Sequence, residues 1–87
     1  MAILIDPPSW PGHGRLWSHL VSTASYDELH VFAQAQGLPL RLFERDHYDV
    51  PDRMFDAIVA AGATPVSSKE LVIALIDNGL RRRKYSG

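Results

Sequence analysis

The sequence predicts an α/β domain: a small three-layer unit with a short three-stranded, mainly parallel sheet flanked by helices. Three observations carry that expectation. Short apolar runs rich in β-formers alternate with segments of helical periodicity, the order expected of right-handed βαβ units. Two S-x-x-E capping boxes, Ser25 to Glu28 and Ser67 to Glu70, mark helix starts. Glycines at 37, 62 and 79 sit where the helices would end. The 87 residues suffice for one domain, expected over 1–80 with a basic tail over 81–87.

Taken in order, Ala2 to Ile5 reads as a buried strand stopped by Asp6-Pro7-Pro8. Ser9 to Gly14 carries the breaks Pro11-Gly12 and Gly14 and reads as a loop. Leu16 to Val21 reads as a short helix or a turn. From the Ser25 box a helix buries Leu29, Phe32 and Ala33 and stops at Gly37. Leu40 to Phe43 follows as the second strand. Pro51 is expected at the first position of a helix that buries Met54, Phe55, Ile58 and Val59. Ala63 to Val66 is the third strand. The last helix, opened by Ser67, buries Leu71, Val72, Leu75 and Ile76.

Composition limits the function classes. With 46% hydrophobic and 22% charged residues the chain is ordinary globular material. Cysteine is absent, which excludes disulfides, thiolate nucleophiles and cysteine-based zinc sites. No apolar run is long enough to span a membrane, and the N-terminus lacks the basic region of a signal peptide. A cytoplasmic protein is therefore expected. Arg81, Arg82, Arg83 and Lys84 supply four of the nine cations, leaving the body with five against ten acids. The run is expected to be a solvated helix end, with nucleic-acid contact as its other reading. The open edges of so small a sheet, and the extra apolar residue Ile73, point to a homodimer.

Chemistry concentrates in two segments. Asp46-His47-Tyr48-Asp49 packs two carboxylates, an imidazole and a phenol ahead of Pro51, and Asp6, His13, Arg15 and His19 form an upstream group. In a doubly wound, Rossmann-like sheet the carboxyl ends of the strands share one edge, where ligands bind. Asp6, the segment from Glu44 to Asp49, and Ser67-Ser68 would then meet in one crevice. His47 or His13 is the candidate acid or base, oriented by Asp46 as a carboxylate holds an imidazole tautomer. Arg15 and Ser68, the latter at a helix N-terminus, are candidates for holding an anion, with Tyr48 as a further ligand contact. Asp6, His19 and Asp49 are candidate ligands of a divalent metal ion.

Structural roles compete with each. Asp6 could simply turn the chain before two prolines, and Asp49 could cap the helix begun by Pro51. Trp10 and Trp17 are expected to pack their segment down rather than stack on a ligand. His30 has no evident partner. The best functional expectation is a small hydrolase or transferase acting on a phosphate-bearing substrate, a nucleotide or nucleic acid. The alternatives are a non-catalytic nucleotide- or partner-binding module, and clusters that only stabilise a loop or dimer contact.

The words Ile5-Asp6-Pro7-Pro8, Trp10-Pro11, His13-Gly14-Arg15, Trp17-Ser18-His19-Leu20, Arg45-Asp46-His47-Tyr48-Asp49-Val50-Pro51 and Val66-Ser67-Ser68 run through almost the whole chain. In them the chain resembles a small uncharacterised bacterial and phage family of domains of unknown function, DUF4031. The resemblance implies that the two polar clusters belong together. It implies no particular activity, cofactor or catalytic residue.

Overall fold

The computed structural model describes residues 2–81. Six strands form one mixed sheet: β1 (Ile3–Ile5), β2 (Trp10–Gly12), β3 (Arg15–Ser22), β4 (Phe43–Glu44), β5 (His47–Pro51) and β6 (Thr64–Pro65). Three α-helices accompany them: α1 (Tyr26–Ala35), α2 (Phe55–Ala60) and α3 (Ser68–Asp77). The strand order is β4-β5-β3-β1-β6, with β2 also paired to β3. Every pairing is antiparallel except β1 with β6.

This corrects the expected three-stranded, mainly parallel, Rossmann-like sheet. The cause lies in two segments. Trp10 to Ser22, expected as a loop followed by a short helix or a turn, is a β-hairpin ending in the longest strand of the sheet. Its turn is His13-Gly14, both with positive φ (50° and 75°). Two consecutive left-handed residues match the right-handed twist of the flanking strands and fold the chain back in two residues. His47 to Pro51, expected as the approach to a helix, is itself a strand. It is joined to β4 by Arg45 (φ 59°) and Asp46. Leu40–Leu42, expected as a strand, is instead one turn of 3-10 helix. Pro51, expected at the first helical position, closes β5 at ψ 148° and stands one position earlier, as the N-cap of a 3-10 turn, Asp52–Met54, that leads into α2.

Helices cover both faces of the sheet. Leu20, Tyr48 and Val50 point to one side and pack with Leu29 and Ala33 of α1 and Ile58 of α2. On the other side Val21 packs with Leu71 and Leu75 of α3. An N-cap serine starts both α1 and α3, but only α3 has the expected reciprocal box: Glu28 accepts from the Ser22 hydroxyl, which in turn takes the Ser25 amide. Ser25 Oγ accepts from the Glu28 amide. Ser67 Oγ accepts from the Glu70 amide, while Glu70 accepts from the Ser67 amide. No helix among the described residues is long and apolar enough to cross a membrane. Of the basic run, Arg82, Arg83 and Lys84 lie outside the described residues, whereas Arg81 belongs to the folded body.

Leu20 lies on the central strand and is fully buried. Truncation to alanine removes its transfer free energy and leaves a cavity, a combined cost of about 2–5 kcal/mol. A urea titration of Leu20→Ala should accordingly show an earlier midpoint with an unchanged slope.

Candidate functional site

Strand register builds the site. β3 and β5 run antiparallel with His19 opposite Asp49. Side chains alternate along a strand, so His47, two residues before Asp49, shares its face. Three metal-capable side chains thus meet on a rigid sheet surface. One ligand atom from each of His19, His47 and Asp49 lies within 4.8 Å of the others. The two imidazoles pack edge to face with ring centres 4.8 Å apart.

Each imidazole is held from behind by a buried carboxylate. Asp6 follows β1 and is 1% exposed. Its Oδ1 accepts the His19 backbone N–H at 2.6 Å. Its Oδ2 meets His19 Nδ1 at 2.9 Å, the Ser68 hydroxyl at 2.8 Å and Trp10 Nε1 at 3.2 Å. Burial raises the Asp6 pKa, but the His19 and Ser68 hydrogen bonds outweigh it and hold the carboxyl below its ordinary value. An ionised carboxylate only accepts, so Nδ1 of His19 carries the proton and Nε2 is the nitrogen left for a ligand.

The second dyad repeats the plan. Asp46, 6% exposed in the turn between β4 and β5, meets His47 Nδ1 through Oδ1 at 2.9 Å. Arg81, just beyond α3, donates Nε to Oδ2 at 2.7 Å and Nη2 to Oδ1 at 2.9 Å. Such a fork on a carboxylate is directional and charge-assisted. Burial again pushes the Asp46 carboxyl up, and Arg81 and His47 together pull it below its ordinary value. The two ends of α3 therefore bracket the site, with Ser68 on Asp6 and Arg81 on Asp46.

His47 differs from His19 in one respect. Its Nε2 also faces a carboxylate, Asp49 Oδ1, at 3.2 Å. A neutral imidazole has a single N–H. With carboxylates at both nitrogens, one contact lacks a proton, and the space between Nε2 and Asp49 calls for positive charge. A bound metal ion would supply that charge. The wider balance points the same way. Among the described residues three carboxylates (Asp6, Asp46 and Asp49) face one guanidinium, which leaves two negative charges unbalanced there when the imidazoles are neutral.

The remaining residues singled out in the sequence lie elsewhere. His13 and Arg15 are exposed on the β2–β3 hairpin. Arg15 sits with its guanidinium 5.8 Å from the centre of the Trp17 ring. Ser68 is spent on Asp6, so it faces a carboxylate rather than an open anion site. Tyr48 points away from the cluster into the core, where it is fully buried and its hydroxyl meets His30 Nδ1 at 2.6 Å. Burial raises its pKa. Asp49 sits in mid-strand and caps nothing. The cluster lies on a sheet face, not along an edge of parallel strand ends. Sequence reasoning missed Arg81 as the partner of Asp46, Trp10 as a donor to Asp6, and the His30–Tyr48 pair. The face shared by His19 and Asp49 has no signal in the sequence, because the register of β3 against β5 sets it.

The depressed carboxylates make a prediction for the metal-free protein. A carboxyl whose pKa falls on folding contributes stability in full above its unfolded value, near 3.8. That contribution is lost as pH falls through the lowered folded value. The urea midpoint should therefore hold between neutrality and about pH 5, then fall steeply below about pH 4. Asp6→Asn should start lower at neutral pH and lose less on acidification.

Fold and site together define a small mixed-sheet α/β domain with a His–Asp cluster on one sheet face. A family model described as "Protein of unknown function (DUF4031)" matches residues 3–78, and the chain belongs to that family. No curated protein and no solved structure matches the chain.

Proposed function

We propose that His19, His47 and Asp49 hold a divalent metal ion, and that the protein is a small metal-dependent hydrolase acting on a phosphate-bearing substrate. The observation that carries this reading is the pair of carboxylate–imidazole dyads beside Asp49: His47 turns Nε2 to Asp49 Oδ1, and His19 brings a ligand atom within 4.8 Å of both. Histidine ligands of metals regularly give their other N–H to a carboxylate, which fixes the tautomer and raises ligand basicity. The separation of His47 Nε2 from Asp49 Oδ1, 3.2 Å, suits two ligands of one ion bonded at about 2.0–2.2 Å. Two imidazoles and one carboxylate leave coordination positions open, as catalytic sites do and structural zinc sites do not.

A bound divalent ion would acidify a water molecule and polarise a phosphoryl oxygen. The chain's own residues supply the rest. Asp6 and Asp46 fix the two imidazoles, Arg81 balances the Asp46 charge, and the strand register keeps the three ligands in place. His13 and Arg15 lie on the hairpin and are the residues available to an incoming phosphate or to proton transfer.

The test uses chelator-stripped protein with bis(4-nitrophenyl) phosphate, before and after addition of Zn²⁺ or Mn²⁺. Turnover should appear only with metal and disappear in Asp49→Ala. Metal binding without turnover on any phosphate ester would instead favour a non-catalytic binding module.

A further inference from the structure

A cavity of about 290 Å³ opens beside the cluster, with Trp10, Gly12, His13, Trp17, His19 and Asp49 in its lining. It shares His19 and Asp49 with the triad. Its volume lies at the small end of ligand sites, suited to one ring-bearing molecule. Its walls are unusual for a surface so exposed. Trp10 is 46% exposed, yet its indole is oriented by the Nε1–Asp6 hydrogen bond and by edge contact with His19, ring centres 5.0 Å apart. Trp17 is fixed opposite it across the β2–β3 ladder, with Nε1 donating to the Gly12 carbonyl at 2.8 Å. A side chain at Gly12 would press on that ring, since a Cβ there would stand 3.3 Å from Trp17 Nε1.

An indole that is half exposed and still held in orientation is an apolar platform left for a planar group to cover. Bases stack on such platforms with little dependence on sequence, because every base has a π-face. We propose that this cavity binds a nucleoside phosphate unit, its base on Trp10 and its phosphate toward His19 and Asp49. The phosphate end of this assignment rests on the metal-centre reading above; the base end does not. Expectation from the sequence alone had both tryptophans as packing residues. Trp17 fills that role, and Trp10 does so with only part of its ring.

Both tryptophans of the chain line this one cavity, so intrinsic fluorescence reports on it directly. AMP should quench the emission saturably, whereas ribose 5-phosphate and inorganic phosphate should not. Trp10→Phe and Trp10→Leu both lose the hydrogen bond to Asp6, but only phenylalanine keeps an aromatic face. With calorimetry as the readout, Trp10→Leu should bind AMP about tenfold more weakly than Trp10→Phe. Equal affinities in the two variants, or AMP binding no better than ribose 5-phosphate, would overturn the base site. Zn²⁺ titration of the same proteins keeps the two readings apart. Zn²⁺ binding with no preference for AMP leaves the metal centre and removes the base site. AMP quenching with no Zn²⁺ binding does the reverse. A short oligoadenylate binding well above AMP identifies a polynucleotide as the source of the unit; equal affinity identifies the free nucleotide.

Discussion

Replacing Asp6 by alanine should cost about 3 kcal/mol of folding stability and lower the melting temperature by roughly 12–24 °C. The carboxylate is 1% exposed and gathers four contacts: the His19 amide, His19 Nδ1, the Ser68 hydroxyl and Trp10 Nε1. These belong to three separate stretches of chain, so the loss is both electrostatic and architectural. A buried donor left without a partner costs about 1–3 kcal/mol, and solvent reaching the cavity or the partly exposed His19 and Trp10 relieves part of that. Asp6→Asn keeps the shape and one carbonyl acceptor, and should fall between wild type and alanine. Thermal denaturation followed by circular dichroism measures the series. A melting temperature for Asp6→Ala within a few degrees of wild type would mean that Asp6 does not organise the site.

Replacing His47 by alanine should weaken divalent-metal binding by at least about a hundredfold and leave the fold in place. Disturbing an outer-shell partner alone costs 10–100-fold in metal affinity, and loss of a direct ligand should exceed that. The fold survives because His47 begins β5 rather than filling the core, and because Asp46 keeps its two-pronged bond to Arg81. Asp46→Asn isolates the outer shell. It should lose 10–100-fold in affinity with all three ligands still present.

The residues show why part of this was readable in advance. Helix α3 announces itself through the Ser67–Glu70 box and α1 through its Ser25 N-cap, because a cap is a local device. The Asp46–His47 pair was equally local, two neighbours at a turn. β3 was not legible, since Ser18 and His19 interrupt its apolar alternation and the His13-Gly14 turn looks like any loop. Missing β3, and β5 beside it, turned a mostly antiparallel sheet into a parallel one. The site then moved from a crevice at strand ends to a face. Register between β3 and β5, which sets His19 against Asp49, is a tertiary fact with no mark in either segment. The bond from Arg81 to Asp46 spans 35 residues; in sequence Arg81 is only the first residue of a basic run.

On our proposal His19, His47 and Asp49, on one sheet face, form a metal centre. Isothermal titration of chelator-stripped protein with Zn²⁺ tests it most directly, with His19→Ala, His47→Ala and Asp49→Ala run in parallel. Wild type should bind a single equivalent, and each substitution should abolish or severely weaken that binding. Absence of saturable binding in wild type, or affinity unchanged in all three variants, would contradict the account.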